Sequence, residues 1–311
     1  MEKLNRGQTI RIGFAFLSIS AFWQMYNNII PLMLTNTFHM NETYSGIIMA
    51  MDNVLALFLL PIFGGISDRC TNRMGKRKPF ILYGTIAAVV LMLLIPILDN
   101  RYASLPDTTT RTLFIAVLGA LLIAMGTYRS PAVALMPDVT PKPFRSAGNA
   151  IINLMGALGA ILYLIFAAVL YSSKKTAGMS HVNYFLIFLV GAAIMILSLC
   201  ILMFTVDEIS LGEKLQEYER QNPEDSLTEV TEEGKESLPA DVRRILILLL
   251  LSVALWYIAY NSVETWFTTY ANRMWDMSLG SASLCLSIGM VGAIATYIPA
   301  GMLAEIGRAH V

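Results

Sequence analysis

Eight stretches of this chain run apolar for about twenty residues or more, at roughly 12–38, 44–67, 79–98, 112–137, 144–171, 183–206, 244–270 and 279–304. About twenty apolar residues are what an α-helix needs to cross a bilayer core. In lipid, only helices and closed barrels satisfy every backbone polar group, and none of these stretches shows the alternating pattern of a barrel strand. The expected fold class is therefore all-α, a polytopic membrane helical bundle. Charged residues make up only 14% of the chain, against about 25% in a soluble domain. The first stretch follows Lys3, Arg6 and Arg11 and exceeds a signal-peptide core of ~7–15 residues, so it is read as the first span.

Lys and Arg set the orientation. With the N-terminus inside, inner segments hold fifteen of them and outer loops five, Arg101, Arg111, Lys174, Lys175 and Arg273. That bias predicts a cytoplasmic N-terminus. Cys70, Cys200 and Cys285 form no disulfide framework. The Asn41-Glu42-Thr43 sequon sits in a very short loop and is read as chance.

One inner loop is distinctive: Gly64 to Phe80 reads GGISDRCTNRMGKRKPF. Gly64 and Gly65 suit a helix packed closely on its neighbour. Asp68 falls at a helix C-terminus, where the macrodipole disfavours an anion by ~0.3–1 kcal/mol. That cost predicts a partner: Arg69, Arg73 or another helix's N-terminus.

The spans differ in polarity. Span 1 carries Ser20, Gln24, Asn27 and Pro31 on one face, span 4 Thr127 to Pro131, span 5 Asn149 and Asn153, span 7 Trp256, Tyr257, Tyr260, Asn261 and Glu264. Spans 3 and 6 are nearly devoid of polar residues. Such an ordering fits a bundle around a water-accessible path; polar pairs holding helices together, at ~0.6 kcal/mol each, fit as well. Residues 207–242 hold twelve acids against three bases, and are read as a cytoplasmic linker, disordered or partly helical, too polar to pack. The linker separates 1–206 from 243–311, and the second part echoes the first. Trp23 to Asn28 resembles Trp256 to Ser262, and Gly64-x-x-x-Asp68 resembles Gly301-x-x-x-Glu305. Six helices, an inner linker and a repeat is a known transporter arrangement.

These motifs carry a family resemblance. The Gly64-to-Asp68-Arg69 opening, then Arg73-Met-Gly75-Lys-Arg77-Lys-Pro79-Phe80, Arg129-Ser-Pro131, Asp138 and Arg145-to-Asn149 resemble the major facilitator superfamily. Within it the chain resembles the glycoside–pentoside–hexuronide:cation symporters and the sucrose-transporter-like group. The resemblance implies a complete six-helix N-terminal half, the linker, and the first two helices of a second half. The family has twelve spans, so a C-terminally truncated chain is expected; Ile306 to Val311 reads like translated sequencing-adapter DNA. It also implies alternating access gated by the loop residues Gly64, Asp68, Arg69, Arg73, Gly75 and Arg77. Melibiose-type symporters place an acid before the span 4 proline, where this chain has Arg129; that departure favours proton over sodium coupling.

Three charges remain inside the expected spans: Asp52, Arg129 and Glu264. Each is a functional candidate, since a charge at the bilayer centre costs ~2.5–3.5 kcal/mol on insertion scales. At ~1.5 Å rise per residue, Asp52 and Glu264 lie at similar depth, one in each half. Both are cation-coupling candidates. An Asp52–Arg129 structural ion pair is the competing reading. Gln24, Asn27, Asn28, Arg129, Asn149, Asn153, Tyr257 and Asn261 are the candidate substrate contacts, with Trp23, Tyr26, Trp256, Tyr257 and Tyr260 as stacking surfaces or ordinary packing.

The resulting expectation is a secondary active transporter moving a sugar or glycoside with a proton, or alternatively with sodium. It is a monomer of the bacterial inner membrane, in contact with lipid and with no nucleic-acid partner. Two alternatives stand beside it: proton-driven efflux of an amphipathic molecule, and a non-transporting sensor signalling through the acidic linker. With three histidines, no His-Glu-x-x-His and no Gly-x-Ser-x-Gly, no enzyme, cofactor or metal centre is expected.

Overall fold

The computed structural model describes residues 5–176, 178–223 and 240–309. Its helices are α1 Arg6–Leu32, α2 Glu42–Asp68, α3 Lys78–Ser104, α4 Thr108–Asp138, α5 Arg145–Leu170, a four-residue α6 Ser173–Thr176, α7 Phe185–Thr205, α8 Glu208–Gln221, α9 Ala240–Trp275 and α10 Leu279–Ala309. No strand occurs among the described residues. Seven of these helices are long and apolar enough to cross a membrane. The eighth long helix, α1, falls short because its polar residues, Ser18, Ser20, Gln24, Asn27 and Asn28 among them, dilute its apolar content.

Helix starts and stops follow local chemistry. The Asn41 side chain caps α2 by accepting from the Thr43 amide at 2.8 Å, and Asp107 caps α4 through Thr110 at 3.1 Å. Pro31 leaves α1 short of a donor, and the next turn, Met33–Thr37, widens to π-helix. Thr35 Oγ1 donates to Pro31 O at 2.9 Å, and the Phe38 amide reaches Met33 O at 3.0 Å. α3 corrects an expected boundary. Apolarity falls after Leu98, but the helix runs to Ser104, and Leu105-Pro106 ends it, since a residue before proline avoids the helical region. Asp99, expected in a loop, is therefore in a helix.

α1 is the centre of the N-terminal half and lies against α5, α7 and α9. Its fit on α5 depends on small residues. A Cβ at Gly159 would stand 2.0 Å from Leu17 O, and one at Gly13 2.6 Å from Met155 Cγ. α3 packs on α4 around Gly84, where a Cβ would lie 2.9 Å from the Tyr128 amide nitrogen. Tyr128 in turn donates to Ala15 O at 2.9 Å and shares a short bond with Ser18.

The linker is partly helical, one of the two forms expected of it, but the expectation that it is too polar to pack is corrected. Its first part is α8, capped by Asp207 at the Ser210 amide, with Leu211 and Leu215 buried and Glu208 only 7% exposed. Two leucines four residues apart give this acidic helix one face that packs. Residues 224–239 of the expected linker lie outside the described residues. So do the surroundings of Gly301 and the side chain of Glu305, the second copy of the loop motif, although both positions fall in α10.

Candidate functional site

Three sets of polar residues stand out, one at mid-bundle and one at each end of it. At mid-bundle, a narrow cleft between α1, α2 and α4 is lined by Trp23, Asp52, Leu59, Leu122, Gly126 and Arg129. The Arg129 guanidinium lies 5.6 Å over the Trp23 ring, a cation–π contact of about 0.5–2 kcal/mol. Asp52 is within electrostatic reach of Arg129 and of Tyr26. Its Oδ1 accepts from the Asn53 amide at 2.7 Å and the Asn53 side chain at 2.8 Å. No salt bridge joins Asp52 to Arg129, so the direct pair weighed from the sequence does not form. Two buried donors in this region, Trp23 Nε1 and Tyr26 OH, have no hydrogen-bond partner. Buried polar atoms are satisfied in the great majority of cases, and these two are among nine buried side-chain atoms of the described residues that lack a partner.

The other proposed contacts scatter. Gln24 and Asn28 are buried in α1. The Asn28 Nδ2 donates to Gln24 O at 2.6 Å, and its Oδ1 accepts from Thr268 of α9 at 2.9 Å. Asn27 is half-buried. Asn149 and Asn153 of α5, and Tyr257 and Asn261 of α9, are exposed and do not line the cleft. Glu264 is half-buried and hydrogen-bonds Tyr260. The aromatic repeat has a counterpart in geometry: Trp23 packs edge-on to Tyr26 at 5.4 Å, and Trp256 stacks on Tyr260 at 5.7 Å. The one-residue insertion in the second copy moves the pairing from i, i+3 to i, i+4.

At the end holding the 69–77 loop, one arginine collects the network. Arg77, 6% exposed, donates from Nε to Asp138 at 2.7 Å and from its two terminal nitrogens to Asp68 and Ser67. Asp68 thus finds its partner in Arg77, nine residues on, rather than in Arg69 or Arg73, both of which are exposed. Burial works against the Arg77 charge, but the hydrogen bond and charge of Asp138, with Asp68 added, hold the guanidinium above its ordinary range. Gly64 meets Ser130 Oγ at 3.1 Å from where a Cβ would stand, whereas Gly65 faces open space.

Sequence reasoning missed two members of this network. The Glu208 carboxylate accepts from the amides of Lys76, Arg77 and Lys78 at 2.7–3.1 Å, capping α3 where the helix dipole favours an anion. Lys78 Nζ donates to Met203 O at 3.0 Å and Val206 O at 2.8 Å, satisfying carbonyls at the end of α7. Gly75, at φ +112°, adopts a conformation closed to most side chains, and a Cβ there would stand 2.3 Å from Glu208 Oε2. The loop thus ties α2, α3, α4, α7 and α8 together.

At the opposite end, α9 and α10 meet the N-terminal half. Asn36 donates to Asn272 at 3.0 Å, Ser173 Oγ lies 2.8 Å from Ser281 Oγ, and the Gly280 amide reaches Tyr171 O at 2.9 Å. Arg273 pairs with Glu42. Between them lies a cavity of about 550 Å³ lined by Asn36, Thr37, His181, Tyr184, Asn272 and Asp276 among others. Residues 242–263 of α9 are exposed, while Thr268, Thr269 and Ala271 are buried. The described contacts between the two parts therefore gather at this one end.

Comparison with known proteins identifies the family. The Major Facilitator Superfamily profile matches residues 12–309. A sucrose transport protein of Oryza sativa subsp. japonica, SUT3, is 28% identical over 230 residues, covering 66% of this chain and 44% of the rice protein. A sucrose transport protein of Arabidopsis thaliana, SUC3, is 29% identical over 138 residues, 40% of this chain and 23% of that protein. Proton-associated sugar transporter A of Mus musculus is 37% identical over 112 residues, 34% of this chain and 15% of that protein. The chain spans less than half the length of these relatives.

Proposed function

This chain belongs to the major facilitator superfamily, and from that premise we propose that it is part of a sugar–proton symporter working by alternating access. The observation that carries the reading is the pair of unpartnered donors, Trp23 Nε1 and Tyr26 OH, beside the charges Asp52 and Arg129. A hydroxyl-rich ligand supplies acceptors for both donors and an apolar ring face for aromatic stacking. The relatives are named for sucrose and for proton-associated sugar transport, and sugar is the substrate class proposed here.

In this reading Asp52 carries the coupling proton and Glu264, at similar depth in α9, is the second coupling carboxylate. Arg129, held over Trp23, grips substrate hydroxyls through its planar fork. The seam at the Asn36–Asn272 end is the outer gate in its closed form, and the Arg77 network braces the cytoplasmic side, with the N-terminus cytoplasmic. Proton rather than sodium coupling follows from Arg129 occupying the position before Ser130-Pro131.

The test is sugar-induced alkalinisation of the medium by energy-depleted cells expressing the complete reading frame. Sucrose and other glycosides are the probes. A symporter raises external pH on sugar addition, and Asp52→Asn abolishes that rise and proton-driven uptake while sugar exchange continues. Sugar uptake with no pH change, or undiminished alkalinisation in Asp52→Asn, overturns the coupling assignment.

A further inference from the structure

Asp99 is a charged group that the coupling reading leaves unused. Its side chain is 0% exposed, and its near polar neighbours are Thr37, whose side chain reaches it from the π-helical turn, and His181. His181 Nε2, at 3.5 Å from Asp99 Oδ2, is the near basic group, and the same ring nitrogen is 2.9 Å from Asn100 Oδ1. Burial favours the neutral form of the His181 ring. A carboxylate enclosed with so few donors is poorly sustained in its ionised form; it takes a proton or a counter-charge. Thr37, His181 and Tyr184, the neighbours of Asp99, all line the 550 Å³ cavity at the seam.

We propose that Asp99 is a proton-binding site of this gate: closing the seam buries the carboxyl together with a proton, with His181 as the near basic group, and opening it admits water and releases the proton. The inference rests on the alternating-access reading above, at a position remote from Asp52 and Glu264 in sequence. One proton is taken from the solvent on closure and returned to it on opening, with no covalent change. The same residues connect the site to the seam. Thr37 ends the π-helical turn whose Asn36 bonds Asn272 across the gate, so separating Asn36 from Asn272 moves the wall that encloses Asp99.

The surrounding groups leave His181 as the near proton partner. On α3 itself, Arg101 acts electrostatically on Asp107 at the turn into α4, and Tyr102 packs on Phe38 at 4.5 Å. α4 presents the apolar Phe114 to Phe38, and the π-helical turn presents Thr37. Before α7, Tyr184 feels the Asp99 charge and Tyr171 donates its hydroxyl to Asn183 O at 2.9 Å. Across the cavity, Asp276 is a second carboxylate and Arg273 pairs with Glu42.

The experiment places spin labels at Leu105→Cys and Met274→Cys, both exposed and on opposite sides of the seam, in the complete protein with Cys70, Cys200 and Cys285 changed to serine. Distances are read by pulsed dipolar spectroscopy after equilibration between about pH 5 and about pH 9 and freezing. A one-proton site changes the open-to-closed ratio about tenfold per pH unit across its range, with the short distance dominant at low pH. Asp99→Asn holds the short distance at every pH, and Asp99→Glu restores the pH dependence. His181→Gln moves the midpoint by about one pH unit, since the ring nitrogen 3.5 Å from the Asp99 carboxyl acts on its proton affinity. A pH-independent distribution in the parent protein, or one in Asp99→Asn that still follows pH, overturns the proposal. If Asp99→Asn fails to accumulate, His181→Gln decides, and an unmoved midpoint overturns it. The readout uses no sugar, so its failure leaves the alkalinisation result standing, and the reverse also holds.

Discussion

The two ends of the bundle are held by opposite kinds of chemistry. At the Arg77 end the bonds are charged, partly desolvated and converge on one side chain: Asp68, Asp138 and Ser67 on the guanidinium, with Glu208 capping the same turn. At the Asn36 end the bonds are mostly neutral and exposed: amide to amide, hydroxyl to hydroxyl, with one solvent-facing ion pair. Hydrogen bonds to charged groups contribute about 1.5–3 kcal/mol and ordinary ones about 0.5–1.5. The first arrangement suits a brace that keeps five helices in fixed relation. The second suits a seam that water can replace bond by bond.

The comparison is broken most directly at Arg77. Breaking a fully buried ion pair costs about 3–5 kcal/mol, but Asp68 and Asp138 are 60% and 39% exposed, so solvent recovers part of that. Arg77→Gln is expected to lose about 2–3 kcal/mol, read as a lower unfolding temperature of the purified protein in detergent. Arg77→Lys keeps the charge but cannot reach Asp68 and Asp138 with one planar fork, and is expected to recover less than half of the loss. Full recovery by lysine means that charge alone matters and the brace is not a geometric device.

How much of this was legible in the sequence differs between the same two ends. The membrane bundle, its long helices and its basic loop follow from apolar length and charge placement, which are local properties. An acid at a helix C-terminus, such as Asp68, needs a partner; Arg69 and Arg73 are nearer in sequence, but the turn at Gly75 brings back Arg77. Glu208 was hidden by its separation from Lys76, 132 residues along the chain, and by an acidic neighbourhood in which one carboxylate looks like any other. Its signal was Asp207 ahead of leucines four apart, which announces a packed helix. Asp99 was lost at a boundary drawn where apolarity falls; the stop signal at Leu105-Pro106 placed it inside the helix. At the seam, Asn36, Ser173 and Ser281 are small polar residues in loops or at helix ends, where such residues need no special explanation.

A second test at the brace uses Gly75. Alanine there faces both a φ of +112° and the Glu208 carboxylate. Backbone strain of this kind costs about 1–3 kcal/mol, and the displaced Glu208 gives up amides on α3. Gly75→Ala is therefore expected to destabilise by about 2 kcal/mol. In a double-mutant cycle with Glu208→Ala the two losses should fall short of additive by at least about 0.5 kcal/mol. Strict additivity in unfolding temperature separates Gly75 from Glu208 and leaves only the backbone conformation to explain the glycine.

The smallest effects belong to the seam. Asn36→Ala removes a single exposed bond to Asn272, so it is expected to take about 0.5–1.5 kcal/mol from the closed arrangement, at most about tenfold in the open-to-closed ratio, with the unfolding temperature nearly unchanged. Ser281→Ala, which removes the bond to Ser173, is expected to do the same. If the seam is a row of independent bonds, the double variant adds the two shifts to within about 0.5 kcal/mol in the spin-label distances. If the double variant opens the seam far more than the sum, the bonds form and break as one unit, and the seam resembles the brace more than their chemistry implies. The difference between the ends would then lie in where water gains entry, and the cavity beside Asp99 would be that place.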